Sequence, residues 1–436
     1  LHCNVKIIGY FWHRIAKNIY FCKKRKMVER TIYKSVYKHL AAKQFSIVIG
    51  ARQVGKTTLL RQLYRDLNKA EEVYLINIEE PEITAQLNEH PNNIFRFTKS
   101  VPPPVLDKSL TKPVILLLDE VQYLDDPSHF LKYLFDTYAP NIKIIATGSS
   151  AFYIDKKFTD SLAGRKRLFY LYPFSFPEYL IAQNQEGLLD EINFMRQRED
   201  YQSLKKTAIV REFLEFLKYG GYPDVVLAKT REDKIEILNE LKTAYIKRDI
   251  LESGLGKTDK FFALFSILAG QIGNLVNKNE LSGTLQLDIR TVENYLYLMQ
   301  KSFHIRLLKP FYQNRRKELT KMPKVYFNDL GLRNAFLNRF SDIYSRQDKG
   351  ELLENYVFKH FNENNPYAQI RFWRTIAKQE VDFIVTEEFQ NAWEVKWSGN
   401  LYKPNKYKIF NATYPNIPLQ CISFDGGNGT KWVFRL

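Results

Sequence analysis

Four short apolar runs mark the first 150 residues, and each stops at a different polar group. FSIVI (45–49) runs into Gly50, VYLINIEEPE (73–82) carries acids at its end, VILLL (114–118) runs into Asp119 and Glu120, and IKIIA (142–146) into Thr147, Gly148, Ser149 and Ser150. Runs this short read as strands, and the unbroken 114–118 stretch suits a parallel strand buried on both faces. TTLLRQLYRDL, after the first run, reads as a helix. From about 171 to 258 the pattern turns helical and charged. Ile235, Leu238, Leu241 and Tyr245 recur at helix spacing, and Gly220, Gly221 and Pro223 break the pattern.

Further along, FFALFSILAGQIG, NKNELSGTLQ and LDIRTVENYLYLMQKSF give a helix, a short helix, a turn at Leu287 and Asp288, and a third helix. That order is a helix-turn-helix, and the basic stretch after it suits a β-wing. GELLENYVFKHF (350–361) is a helix with the apolar stripe Leu353, Val357 and Phe361, flanked by Glu354. QIRFWRT (369–375) and EVDFIV (380–385) read as strands. In NAWEVKW (391–397), period two puts Trp393, Val395 and Trp397 on one face and Glu394 with Lys396 on the other.

At 436 residues, 45% hydrophobic and 14% aromatic, the chain is globular and too long for one ordinary core. No stretch reaches the roughly 18 uninterrupted apolar residues of a membrane span; the best candidate, near the start, is broken by His13, Arg14 and Lys17. We therefore read it as soluble, with no membrane partner. Three cysteines, two of them in the first 22 residues, form neither a disulfide framework nor a CxxC pattern, which suits a reducing cytoplasm.

The net charge is +17, but seven basic residues and no acid fall within residues 1–26, ahead of the first methionine, Met27. We read residues 1–28 as a basic leader, an upstream extension extraneous to the natural protein, with a targeting peptide as the alternative. Without those seven charges, 58 basic residues face 48 acidic ones, a balance of +10 that still favours a polyanionic partner such as DNA.

The chemistry concentrates in GARQVGKTT (50–58), set between a strand and a helix. In that context Gly50, Ala51, Arg52, Gln53, Val54 and Gly55 form a loop whose N–H groups close around phosphate. Lys56 reaches the β- and γ-phosphates, and the hydroxyls of Thr57 and Thr58 follow, Thr57 offering its oxygen to Mg2+. Asp119 would share that Mg2+, and Glu120 would orient and deprotonate the attacking water. Thr147 and Ser149 either sense the γ-phosphate or cap the next helix. Arg165, in LAGRKRLF, is either a finger reaching a nucleotide in its own or a neighbouring subunit, or a solvated surface arginine.

GARQVGKTTLL, LLLDEVQ, ATGSSAF, LAGR, YPFSFPEYL and GGYPDVV, in that order, resemble the motifs of bacterial and archaeal AAA+ ATPases that carry a C-terminal domain of unknown function. The resemblance implies ATP as the nucleotide and a lid over residues 171–258. No guanine-reading NKxD is present; NKNE (277–280) ends in Glu280.

The helix-turn-helix is either a DNA reader or an extension of the lid. Its third helix offers Arg290, Thr291, Glu293 and Asn294. The expected wing is more basic, with Arg315, Arg316, Lys317, Lys321 and Lys324 against Glu318. At the C-terminus, Asp382 and Glu394 supply hard oxygen ligands for Mg2+, Glu354 a third, and Lys396 a charge to orient water. The arrangement resembles the PD-(D/E)XK restriction-endonuclease-like fold, although Val381 replaces the motif's proline.

The expected architecture is thus α/β: a P-loop core with a parallel sheet (29–170), a helical lid (171–258), a winged helix-turn-helix (259–338) and a nuclease-like α/β domain (339–436). The expected function is ATP hydrolysis with Mg2+ coupled to DNA, which the last domain binds or cuts, in a possible homo-oligomer. A nucleotide-dependent regulatory switch and an ATP-gated defence nuclease are the alternatives.

Overall fold

The computed structural model describes residues 27–69, 71–106, 110–148, 162–198, 200–245, 250, 257–311, 322–364, 368–387 and 389–436. The four apolar runs become strands β1 (Phe45–Ile49), β2 (Val73–Asn77), β3 (Val114–Asp119) and β4 (Ile142–Gly148), joined by β5 (Lys166–Tyr170). They form one parallel sheet in the order β2-β3-β4-β1-β5. Parallel neighbours need crossovers, here the helices Lys56–Leu67, Pro81–Glu89 and Pro127–Tyr138. Every residue of β1, β3 and β4 is buried, which explains their near-continuous apolar runs. The acids after the second run lie outside their strand: β2 ends at Asn77, and Glu82 enters the first turn of the next helix, where the helix dipole favours it.

Residues 171–175 are an extended strap rather than the start of a helical lid. Leu171 N donates to Ile49 O, and Phe174 N donates to Gly221 O at 2.7 Å. Helices Phe176–Ala182, Glu186–Gln197, Lys206–Tyr219, Pro223–Leu227 and Arg231–Glu240 follow. Phe213 on the third of these is wholly buried against Phe176, Tyr356 and Phe434, at ring separations of 5.3, 4.7 and 4.8 Å. One residue thus joins three distant segments.

Helices Thr258–Gly270, Lys278–Leu285 and Ile289–Lys301 come next, then an antiparallel pair, β6 (Ile305–Leu308) and β7 (Lys324–Phe327). After the helix Leu330–Leu337, the helix Lys349–Asn364 leads into a mixed sheet. Its strands are β8 (Gln369–Arg374), β9 (Glu380–Thr386), β10 (Gln390–Lys396), β11 (Leu419–Ser423) and β12 (Lys431–Trp432). Its order is β12-β11-β10-β9-β8, antiparallel from β8 to β10 and parallel from β10 to β12.

The expected stripe Leu353, Val357 and Phe361 is buried, and Phe361 packs on Phe383 and Trp393 at 5.9 and 5.7 Å. The same helix buries polar residues too. Asn355 accepts from Phe327 N and donates to Phe327 O, at 2.7 and 2.8 Å, which locks the helix to β7. Among the described residues no helix is long and apolar enough to cross a membrane.

Candidate functional site

β1, β3 and β4 run in parallel, so the segments leaving their C-terminal ends share one edge of the sheet. The loop after β1 turns sharply: Gln53 and Gly55 have φ of 60° and 98°, and the helix starts at Lys56. Gly50 is set by packing as much as by any ligand, since a Cβ there would lie 2.1 Å from the Leu171 carbonyl oxygen of the strap. Val54 and Lys56 are buried, Arg52 is half-buried, and Gln53 and Thr58 are exposed. Lys56 Nζ donates to Gly50 O and Ala51 O, at 3.1 and 2.9 Å, and lies 4.0 Å from Glu120 Oε1.

Asp119 is the hub of this edge. Thr57 Oγ1 donates to its Oδ2 at 2.6 Å, and Thr147 Oγ1 donates to its Oδ1. Thr147 also accepts from Glu120 N at 3.0 Å, so its buried hydroxyl ties the two acids together. Burial raises the Asp119 pKa, against the two hydroxyls that stabilise its charge. Glu120 has φ of 58°, and Gln122 Nε2 donates to its Oε2. A lone carboxylate beside a hydroxyl is the donor chemistry Mg2+ uses when phosphates complete its shell, so Thr57 and Asp119 fit that ion.

Ser149 lies outside the described residues. Arg165 does not reach the 50–57 loop of its own chain. It immediately precedes β5, beside the start of β1, and Phe45 N donates to its carbonyl. The loop leaves the other end of β1, about 16 Å away for a five-residue strand. Arg165 Nε and Nη2 instead donate to Asp136, at 2.7 and 3.2 Å.

The C-terminal acids Glu354, Asp382 and Glu394 do converge with Lys396, but around an unforeseen residue. Lys324, at the head of β7, buries its Nζ 2.5 Å from Glu380 Oε1, 3.2 Å from Glu354 Oε1 and 3.7 Å from Asp382 Oδ1. Burial alone would lower its pKa; Glu354, Asp382 and Glu380 more than reverse that and hold it above the ordinary lysine value. Tyr326 OH donates to Glu354 Oε1 at 2.6 Å, and Val395 N donates to Asp382 Oδ2 at 2.8 Å. Lys396 donates to Glu394 Oε1, the Tyr407 hydroxyl also bonds the Glu394 carboxylate, and the buried Oε2 has no geometric hydrogen-bond partner among the described residues. Burial, then the neighbouring Asp382, pushes the Glu394 pKa up.

Among the described residues no three acidic, histidine or cysteine side chains are arranged to hold a metal ion. The expected ligand set therefore does not fit a metal in this arrangement, because an ammonium stands among the carboxylates. Lys324 is also lost from the expected wing: at 1% exposure it cannot meet a phosphate backbone. Arg315, Arg316, Lys317, Glu318 and Lys321 lie outside the described residues. On the third helix of the preceding module Arg290, Glu293 and Asn294 are exposed, and Glu293 pairs with Lys278 at 2.6 Å.

Residues 42–180 match the family model for an AAA domain. The chain carries an AAA domain. Residues 210–343 and 349–427 match models described as domains of unknown function, DUF8612 and DUF4143. An uncharacterized protein of Methanocaldococcus jannaschii is 26% identical, covering 94% of this chain and 86% of its own length. One from Haemophilus influenzae is also 26% identical, over 78% of both. Among solved structures, AMPPCP-bound DnaA from Aquifex aeolicus is 19% identical with a TM-score of 0.29, covering 63% of this chain and 88% of that one.

The AAA domain also relies on residues that sequence reasoning passed over. Arg30, 7% exposed, donates to Val54 O within the loop, to Tyr172 O on the strap and to Glu178 Oε1, at 2.6, 2.6 and 3.1 Å. Glu178 completes a capping box with Ser175 and accepts from Thr31 N. Burial would raise its pKa, but Arg30 and the backbone donors bring it below the usual carboxylate value. The Ser-x-x-Glu spacing could have flagged Glu178; nothing in VERTIY distinguishes Arg30 from a surface charge.

Proposed function

We propose that this chain is a Mg2+-dependent ATPase whose nucleotide cycle acts on a DNA-bound assembly, in the cytoplasm. The observation that carries the reading is the Thr57–Asp119–Thr147–Glu120 network at the foot of the 50–57 loop. In this reading the loop N–H groups from Gly50 to Thr58 and the Lys56 ammonium bind the phosphates, and Thr57 and Asp119 hold Mg2+. When bound, Mg2+ neutralises charge on the phosphates. Glu120 accepts the proton of the water whose oxygen attacks the γ-phosphorus, as the bond to the β-phosphate oxygen breaks and ADP leaves. Thr147 keeps the two acids in register. Arg165 serves only in trans, as a finger to a neighbouring copy.

The three-helix unit with its β6–β7 hairpin supports a winged helix-turn-helix reading. The helix before a β8–β9–β10 meander and the parallel β11 support a PD-(D/E)XK-like domain that meets nucleic acid. Between binding and cutting, the Lys324 ammonium among the carboxylates favours binding, and with it the regulatory switch over the defence nuclease.

Steady-state ATP hydrolysis tests the reading: the protein should turn over ATP with Mg2+, and Glu120→Gln and Lys56→Ala should each lower kcat by at least about a hundredfold. Unchanged turnover in both variants would remove the site assignment.

A further inference from the structure

Glu120 holds a backbone shape that few residues with a side chain adopt, φ 58° and ψ 52°, directly after β3. Outliers of this kind gather where a side chain must be aimed. A short turn of 3-10 helix, Val121–Tyr123, follows. Along a helix, side chains two positions apart do not face each other. The left-handed step at Glu120 changes that: Gln122 Nε2 donates to Glu120 Oε2. An ionised carboxylate only accepts, so the amide nitrogen is the end of Gln122 that can serve it.

The turn itself is anchored by other residues. Val121 and Leu124 are buried, Tyr123 OH donates to Glu79 Oε1 at 3.0 Å, and Thr147 Oγ1 accepts from Glu120 N at 3.0 Å. What the half-buried Gln122 fixes is the plane of the Glu120 carboxylate. The other oxygen, Oε1, lies 4.0 Å from Lys56 Nζ, on the side where the phosphates lie in the reading given above.

A base that takes a proton from water must present a lone pair in one direction. A neutral donor on Oε2 leaves the carboxylate its charge and turns Oε1 towards the water. A lysine at that position would offset the charge, and an acid would repel it.

We propose that Gln122 is a positioning residue for hydrolysis: it ties Glu120 Oε2 so that Oε1 receives the proton of the attacking water. The water oxygen bonds to the γ-phosphorus as the bond to the β-phosphate oxygen breaks. Gln122 touches neither water nor phosphate and acts only through Glu120. This role rests on the ATPase reading and names the residue that orients its base.

Steady-state ATP hydrolysis with Mg2+ by the full chain, alongside titration with a non-hydrolysable ATP analogue, tests this in wild type, Gln122→Met, Gln122→Glu and Glu120→Gln. Gln122→Met removes the donor at nearly the same side-chain length. It should lower kcat by about tenfold or more, while analogue affinity stays within about twofold and Tm is unchanged. In Gln122→Glu two carboxylates face each other, and one proton shared between them restores the hydrogen bond. Its kcat relative to wild type should climb as pH falls from about 9 to about 6, whereas the Gln122→Met ratio should not. Wild-type kcat in Gln122→Met, a kcat loss matched by an equal loss of analogue affinity, or a Gln122→Glu ratio flat with pH would overturn the positioning role. Wild type without ATP turnover would overturn the ATPase reading along with it. Active wild type, silent Glu120→Gln and Gln122→Met at full rate would overturn the Gln122 role alone.

Discussion

Arg30 donates to the carbonyl of Val54 at 2.6 Å, so the curvature of the phosphate-loop candidate is fixed from beneath by a residue some 24 positions upstream. The same guanidinium holds Tyr172 O and pairs with Glu178 inside the protein. Arg30→Ala breaks a buried pair and should cost about 3–5 kcal/mol in urea unfolding. Arg30→Lys keeps the charge but loses the fork, and should lower kcat/KM for ATP by about a hundredfold through misplacement of the loop. Wild-type kinetics in Arg30→Lys would show that the loop holds its shape unaided.

Lys359 connects the helix that carries Glu354 to the AAA domain. Its ammonium donates to Pro173 O and Phe174 O, each at 3.3 Å, and to Glu363. Burial raises the Glu363 pKa to about 7 despite Lys359. Lys359→Met should destabilise the protein by about 3–5 kcal/mol at neutral pH. Adding Glu363→Gln should return most of that loss, a non-additivity measured by a double-mutant cycle in urea. Additive losses would mean the two groups do not interact.

A pH signature arises at the opposite end of the parallel sheet. His39 Nδ1 lies 2.7 Å from Ser46 Oγ and 3.4 Å from Lys143 Nζ. Burial first, then the Lys143 charge, lowers its pKa from 6.5 to about 4. Between those values the unfolded chain binds more protons than the folded one, so this stability is present above pH 6.5 and is lost as pH falls towards 4. The stability gap between wild type and His39→Gln should narrow over that interval. A constant gap would show that His39 titrates normally.

Arg165 makes a half-exposed ion pair with Asp136, the kind worth about 1 kcal/mol or less. Arg165→Ala should therefore leave Tm and ATP affinity nearly unchanged. If copies of the chain supply one another's finger, specific activity should rise with protein concentration in wild type and stay flat in the variant. A weakened ATP affinity in dilute Arg165→Ala would place the arginine at its own nucleotide after all.

β1, β3 and β4 were legible because burial on both faces forces continuous apolar runs, as in Ile115–Leu118, whereas the half-exposed β5 offered no such run. The loop and the two acids were legible because their chemistry demands fixed residue types. Period two likewise gave the faces of β10. What stayed hidden was polar and long-range: Arg30, Glu178, Lys324 and Lys359 look like surface charges in a sequence, and only the fold brings each to a buried partner. Lys324 shows the cost of reading charge by composition, since a lysine counted towards a DNA-facing wing proves to be among the most deeply buried residues in the protein. The boundary of β2 was misjudged because acids at a strand end and acids at a helix start look alike without the cap geometry.

Isothermal titration of folded protein with ATP in the presence of Mg2+ tests the central claim most directly. Wild type and Glu120→Gln should release heat and bind one nucleotide per chain, while Lys56→Ala binds at least about tenfold more weakly. No heat from folded wild type, or a Lys56→Ala isotherm matching it, would contradict the account.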